Sequence, residues 1–238
     1  MKAIVLCAGL GTRMRPLTDT TPKCMLPVGG KPLLHHTLER LAEAGVTDVA
    51  INLHHLPAAI VHDIKRGWQF GLRVTYSYEQ ELLGTAGAIK RLAWWLDEEP
   101  FFVVYGDEWT TLDFQKLYLD HCHIRTKLPA LATVVVHKVD DTAGRNIVEF
   151  EPCRRIRSIG PKASMAAFHL KGWACSGIYV LDAALVWAIL PLCADLETDV
   201  LPLFVQTCWA YLADADEVID IGKPEGYAHA CQLAGPSW

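Results

Sequence analysis

A glycine-rich, basic loop directly follows the first apolar run of the chain, and this junction constrains the fold more than any other feature. Ala3 to Leu6 reads as a buried strand. It runs into Leu6-Cys7-Ala8-Gly9-Leu10-Gly11-Thr12-Arg13-Met14-Arg15-Pro16-Leu17-Thr18, closed by Pro22-Lys23-Cys24-Met25-Leu26-Pro27-Val28. Glycines placed after a buried strand let the backbone turn sharply and present N–H groups to phosphate. Arg13, Arg15 and Lys23 in the same loop suit a triphosphate whose charge grows on the leaving oxygens during transfer. A dinucleotide fingerprint G-x-G-x-x-G would need glycine where Met14 stands, and the G-x-x-x-x-G-K-[ST] loop is absent.

Downstream, short β-branched runs alternate with longer helical patterns, as a parallel sheet requires when its strands are joined by crossover helices. Pro32 opens a helix in which Leu34, Leu38 and Leu41 share a face, and Gly45 stands where a C-cap glycine belongs. Val49 to Leu53 reads as a strand, Ala58 to Arg66 as a helix and Leu72 to Tyr78 as a strand. Thr85 is placed to cap a helix from Ala86 to Leu96, ahead of the apolar strand Phe101 to Tyr105. After Asp113 the order is a helix to about His123, a strand from Ala130 to His137, short strands around Ile147 and Ile156, and another at Gly177 to Leu181. Helices from Ala183 and from Asp199, a strand from Val218 to Ile221 and a helix near Pro224 complete the chain.

The expectation is an α/β fold: one domain over residues 1–238, Rossmann-like, with a mixed, mostly parallel sheet flanked by helices. No internal repeat and no β-helix tail is present in the sequence. A net charge of -5 argues against a chain that coats nucleic acid. No apolar stretch approaches the roughly 20 residues of a membrane span. The eight cysteines include no C-x-x-C pair, which points to buried free thiols and a cytoplasmic location. His54-His55 and His121-Cys122-His123 lack further ligands at metal-binding spacing. The tryptophans, Trp94, Trp95, Trp109, Trp173, Trp187 and Trp209 among them, read as core or subunit-contact residues, and a homodimer is compatible with them.

The loop resembles the signature A-G-x-G-T-R-x-x-P-L-T followed by P-K of the sugar-nucleotide pyrophosphorylases, here Ala8 to Thr18 and Pro22-Lys23. The resemblance continues through Lys31-Pro32, Glu79 to Ile89, Gly106-Asp107, Asp220-Ile221-Gly222 and Pro224-Glu225. It implies the nucleotide-diphospho-sugar transferase fold and a magnesium-dependent transfer between a nucleoside triphosphate and a sugar 1-phosphate. Nucleotide contacts then fall on Leu6, Ala8, Gly9, Gly11, Thr12, Arg13, Lys23, Glu79, Gly84 and Thr85. The catalytic roles fall on Arg13, Lys23 and Asp107, and Mg2+ on Asp107 and Asp220. Asp107 follows one apolar strand and Asp220 comes from a second, where α/β sheets place ligands, and carboxylates suit a hard cation that keeps water and phosphate as its other ligands.

Glu79 lies in the segment that resembles the family's base-recognition loop. A carboxylate accepts hydrogen bonds only, and guanine offers two adjacent donors, which favours GTP. That segment also resembles the version in mannose- and heptose-phosphate guanylyltransferases, and some uridylyl enzymes, such as those acting on N-acetylmuramate 1-phosphate, share the glutamate. The sugar side departs from the family: Ile159-Gly160-Pro161-Lys162 stands where E-K-P is common, and Ala174-Cys175-Ser176-Gly177-Ile178-Tyr179 lacks the usual asparagine. Gly106, Lys162, Ser176, Gly177 and Glu197 are the sugar-binding candidates, with a helix N-terminal charge as the competing reading of Glu197. The altered sugar side also admits a catalytically silent protein that binds a nucleotide sugar and regulates a partner.

Overall fold

The computed structural model describes residues 1–161, 171–188, 194–214 and 218–235. Lys162 lies outside the described residues. In chain order the elements are β1 (Lys2–Leu6), β2 (Pro27–Val28), β3 (Lys31–Pro32), α1 (Leu33–Glu43), β4 (Asp48–Leu53), α2 (Pro57–Ile64), β5 (Arg73–Tyr78), α3 (Gly84–Arg91), β6 (Phe101–Tyr105) and β7 (Glu108–Thr110). They continue with α4 (Phe114–Arg125), β8 (Ala132–Val139), β9 (Asn146–Phe150), β10 (Ile156–Pro161), β11 (Gly172–Leu181), α5 (Ala183–Ala188), β12 (Cys208–Ala213), β13 (Val218–Asp220) and α6 (Pro224–Ala234).

Two compact units form. One comprises Met1–Leu82, Val103–Gln115 and the C-terminal segment carrying β13 and α6; the other comprises Leu83–Phe102 and the stretch from Lys116 through β12. In the first, β1, β4 and β5 are parallel neighbours, and Leu6, Asn52 and Ser77 stand side by side at their C-terminal ends. This register delivers the loop after β1 and the segment after β5 to one sheet edge. Ala3, Ile4 and Val5 are fully buried, as their unbroken apolar run implies. Helix α1 buries Leu33, Leu34, Thr37, Leu38 and Leu41, the i, i+4 stripe of an amphipathic helix. Each of those leucines contributes about 1.5–3 kcal/mol by leaving water.

In the second unit the strand order is β12-β8-β11-β9-β10. All pairs are antiparallel except β12 with β8. Lys90 Nζ donates to the Val186 carbonyl at 2.9 Å, supplying a cation to the last turn of α5. The α/β class and the mixed, helix-flanked sheet expected from the sequence are therefore observed. Among the described residues no helix is long and apolar enough to cross a membrane.

Several boundaries differ, each for a tertiary reason. Helix α3 stops at Arg91 and gives way to a 3-10 turn, Ala93–Trp95, rather than running to Leu96. Thr85 does not cap it; its hydroxyl is engaged by the 194–196 segment. The helix expected from Asp199 is a π turn, Leu196–Val200, followed by a 3-10 stretch, Leu201–Thr207. Pro202 lacks the N–H that a continuing α-helix needs. Strands β7 and β12 were not legible, and β11 starts earlier than expected. Trp109 and Trp209 are core residues, whereas Trp94 and Trp187 are exposed. Cys7, Cys24 and Cys208 are buried free thiols as expected, whereas Cys153 is exposed.

Candidate functional site

The loop after β1 is held open by its own backbone bonds. Gly11 adopts φ +64°, and its carbonyl accepts from the Met14 N–H at 2.9 Å and from the Thr18 hydroxyl at 2.7 Å. A Cβ at Gly11 would stand 2.9 Å from the Thr18 side chain, so both the left-handed backbone and the close approach require glycine. Gly9, Thr12 and Arg13 are exposed along this loop. His55 Nε2 lies 3.0 Å from the Thr18 carbonyl and anchors the loop's far end.

At the same edge Asn52 joins three strands. Its Oδ1 accepts from the Cys7 N–H at 2.6 Å, and its Nδ2 donates to Glu79 Oε1 at 2.8 Å. Glu79 is only 1% exposed, and its N–H donates to the Leu53 carbonyl at 2.8 Å. The base-recognition candidate is thus a buried carboxylate fixed by an amide. Asn52 was missed in the sequence, although an asparagine inside the apolar run Val49 to Leu53 was its signal. Replacing it by leucine leaves the buried Cys7 N–H without this acceptor, and Asn52→Leu is expected to lower stability by about 1–3 kcal/mol in urea unfolding. Unchanged stability would show that the relay does not bind the strands together.

The charged residues gather beneath this loop. The Gly106 N–H donates to the Leu6 carbonyl at 2.9 Å, which sets Gly106-Asp107 directly against β1. Lys23 Nζ forms an ion pair with Asp107 Oδ2, with both side chains largely buried. Strand β13 pairs antiparallel with β7, Asp220 opposite Glu108, and the Ile221 N–H donates to the Asp107 carbonyl at 2.9 Å. Gly222 marks where the groups meet. A Cβ there would lie 2.6 Å from Asp220 Oδ1, 3.2 Å from Arg13 Nη2 and 3.3 Å from Lys23 Nζ. Arg13, Lys23, Asp107 and Asp220, far apart in sequence, therefore form one cluster.

The cluster brings together two cations, Arg13 and Lys23, and two carboxylates, Asp107 and Asp220. Among the described residues no group of three or more His, Cys, Asp or Glu side chains could enclose a metal. The donor set fits Mg2+, which takes few protein carboxylates and fills its remaining positions with water and phosphate oxygens. Beside it, the hydrogen bond to Cys24 and then burial push the Cys7 thiol well up from its ordinary value. Cys7 is a neutral packing group rather than a nucleophile.

The remaining candidates lie in the second unit. Glu197 is 7% exposed and accepts from the Tyr179 hydroxyl and from Asn146 Nδ2. The turn that carries it is capped by Asp195, whose Oδ1 accepts from the Glu197 and Thr198 N–H groups at 2.9 and 3.0 Å. Thr85 donates to Asp195 Oδ2 at 3.0 Å and accepts from the Leu196 N–H at 2.7 Å, and the Ala86 N–H donates to the Ala194 carbonyl. The hydroxyl of Thr85 thus ties Gly84-Thr85 to the Glu197 turn. Ser176 is fully enclosed and lies 2.9 Å from His137 Nδ1, while Gly177 takes φ +65° in the same irregular stretch of β11. Burial, then Arg145, lowers the His137 pKa to about 4. Asn146 was not singled out in the sequence, and Tyr179 stood there only as the last residue of the Ala174 to Tyr179 segment. A separate cavity of about 460 Å³, lined by Leu96, Arg125, Asp182 and Trp187 among others, contains none of the candidate residues.

The sequence profile described as nucleotidyl transferase matches residues 2–234. The mannose-1-phosphate guanyltransferase of Schizosaccharomyces pombe is 32% identical over 235 residues, covering 95% of this chain and 62% of its own. That of Saccharomyces cerevisiae is 30% identical over 240 residues, covering 95% and 63%. The chain thus spans less than two thirds of the length of these curated relatives. HddC from Yersinia pseudotuberculosis superimposes with a TM-score of 0.80 at 28% identity, over 98% of each chain. The same protein complexed with GMP-PN gives 0.78 at 27%, again over 98% of each. A putative glucose-1-phosphate thymidylyltransferase from Bacillus anthracis shares the fold, with a TM-score of 0.83 at 23% identity over 98% of this chain and 95% of its own.

Proposed function

The chain belongs to the nucleotidyl transferase family, and from that premise we propose that it transfers a nucleotidyl group from a nucleoside triphosphate to a sugar 1-phosphate, releasing pyrophosphate. The convergence of Arg13 and Lys23 with Asp107 and Asp220 around Gly222 is the observation that carries this reading. A phosphate oxygen of the sugar 1-phosphate attacks the α-phosphorus in line. The bond from that phosphorus to the bridging oxygen breaks, and pyrophosphate leaves with the electron pair. The attacking phosphate is already an anion at neutral pH, so no side chain has to remove a proton.

The backbone of Gly9 to Thr12 cradles the triphosphate, and Arg13 and Lys23 stabilise the charge that develops on the departing pyrophosphate. Asp107 and Asp220 would hold Mg2+, which when bound polarises phosphate oxygens and offsets their charge. Gly84 with Thr85 serves the base side, and Glu197 the sugar side. Catalysis comes from positioning and electrostatics.

GTP and a manno- or heptose-type sugar phosphate are the substrates we favour. The names of the relatives and the GMP-PN complex of HddC support that choice. The burial of Glu79 against Asn52 favours a second reading, a UTP-dependent enzyme, because a carboxylate so engaged is a weaker reader of guanine's edge. Pyrophosphate release in the presence of magnesium, with GTP, UTP, dTTP, CTP and ATP each against mannose, glucose, heptose and N-acetylmuramate 1-phosphates, separates the two. Release with GTP and a manno-configured acceptor is expected. Release with UTP alone keeps the reaction and overturns the base, and binding without release by any pair leaves a silent, regulatory family member.

A further inference from the structure

The His54-His55 pair, which lacks further ligands for a metal, sits on the turn after β4, the strand that β1 and β5 flank in the first unit. His54 Nδ1 lies 2.9 Å from the Glu79 carbonyl, just past the end of β5. His55 Nε2 lies 3.0 Å from the Thr18 carbonyl, at the far end of the loop after β1. Two consecutive residues thus reach the loops of the two neighbouring strands. Leu56 follows with φ +48°, a left-handed conformation that costs a residue with a side chain about 1–2 kcal/mol. Such a conformation persists where the surrounding structure fixes it, and it collects at sites that must be held in one shape.

A carbonyl oxygen only accepts, so His54 carries its hydrogen on Nδ1 and His55 on Nε2. Each ring can donate whether neutral or protonated, which makes the two contacts positional rather than ionic. Thr18 passes the constraint on, for its hydroxyl donates to the carbonyl of Gly11 in the left-handed glycine turn at 2.7 Å. Asn52, on the same segment, accepts from the Cys7 N–H at 2.6 Å and donates to Glu79 Oε1 at 2.8 Å. Residues 52–55 therefore tie the loop after β1 at Cys7 and at Thr18, and the segment after β5 at the Glu79 side chain and carbonyl. Between the two ties of the first loop, Gly9, Leu10, Thr12 and Arg13 are exposed. A loop with fixed ends and a solvent-facing middle is ordered before its ligand arrives, so less binding free energy is lost to ordering.

We propose that His54 and His55 are positioning residues of the nucleotide site: His55 sets the loop that takes the triphosphate, and His54 sets the segment that takes the base. This rests on the transferase reading above, in which the nucleotide lies on these two loops. It gives a role to a histidine pair that neither metal chemistry nor the sequence motifs account for. The two roles are separable, because inorganic tripolyphosphate carries the charges of the nucleotide's tail and no base.

The test is calorimetric binding of GTP, UTP and inorganic tripolyphosphate in the presence of magnesium, beside a thermal melt of each variant. His55→Ala is expected to raise the Kd of tripolyphosphate and of the better-bound nucleotide by about 5-fold or more. His54→Ala should raise the Kd of that nucleotide by about the same factor and leave tripolyphosphate within about twofold, a split that general loosening of the unit would not give. Glutamine sets its side-chain N–H at the reach of Nε2, and asparagine at the reach of Nδ1. His55→Gln and His54→Asn should therefore bind within about twofold of wild type. Unchanged tripolyphosphate binding in His55→Ala, equal weakening of nucleotide and tripolyphosphate in His54→Ala, or folded His55→Gln and His54→Asn proteins that bind as poorly as the alanine variants overturns the assignment while the transferase reading stands. Pyrophosphate release by wild type tests that reading separately. A wild type that shows the binding pattern and releases no pyrophosphate loses the transfer and keeps the positioning, and one that binds neither nucleotide nor tripolyphosphate loses both.

Discussion

Asp107→Asn is expected to cut pyrophosphate release by about 10³-fold or more while the protein stays folded. The substitution preserves size and shape but removes the charge that a divalent cation and Lys23 both require. Cation stabilisation of phosphate oxygens contributes several kcal/mol at the transition state, and each 1.4 kcal/mol is a factor of ten. The structural cost is moderate. Asp107 keeps its backbone carbonyl, which accepts from the Ile221 N–H, and what is lost is the charge of one largely buried ion pair, about 1–3 kcal/mol while the asparagine oxygen still accepts from Lys23. Turnover measured beside a thermal melt decides the matter. Near-normal turnover in a folded variant removes the metal assignment, and a collapsed melt would make Asp107 a structural residue instead.

The contrast between that cluster and Glu197 shows what a single chain can and cannot disclose. Arg13, Lys23, Asp107 and Asp220 were legible because each sits in a short motif of glycine, proline and charge beside an apolar strand, and strand ends in an α/β sheet share one edge. Asn146 gave no such signal, and Tyr179 stood only as the last residue of the Ala174 to Tyr179 segment, with no role attached. They become partners of Glu197 only through the pairing of β9, β8 and β11 and the two extra residues in β11, and strand register is a tertiary property. Ser176 was chosen from its place in a motif, yet strand alternation turns its hydroxyl toward His137 rather than toward Glu197.

The fold divides along the same line. β1, α1, β4, α2, β5 and β6 were readable because their apolar residues recur at clear helical or strand spacing between glycines and prolines. β7 has three residues, too few for a period to show, and it exists because it pairs with β13, the strand expected near Val218 to Ile221. Thr85 had the look of an N-cap, but the bond network of Asp195 and the Leu196 N–H takes its hydroxyl, so a local preference yields to a tertiary one. The Leu196–Val200 turn likewise owes its form to Asp195 in front and Pro202 behind.

Gly222→Ala should then lower kcat by about 10²-fold, the cost of displacing catalytic groups by roughly an ångström. The change adds one methyl group and no charge. Gly222 is not among the residues of positive φ, so alanine meets no backbone strain and acts only through the space it fills. That space is bounded by Asp220 Oδ1, Arg13 Nη2 and Lys23 Nζ, and a carbon 2.6 Å from the carboxylate oxygen cannot be accommodated unless Asp220 moves. Asp220 Oδ1 also accepts from the Gly222 N–H at 2.6 Å, so the same shift weakens the bond that orients the carboxylate. A metal held partly by Asp220 would bind less tightly, and the magnesium concentration giving half-maximal rate should rise with the fall in kcat. Gly45→Ala, at a glycine remote from the cluster, is the control for general loss of stability, since its φ of +86° strains alanine while the added carbon approaches the flexible Met1 methyl rather than a charged group. A Gly222→Ala enzyme with wild-type kcat and magnesium dependence would mean that the four charged groups do not act as one site.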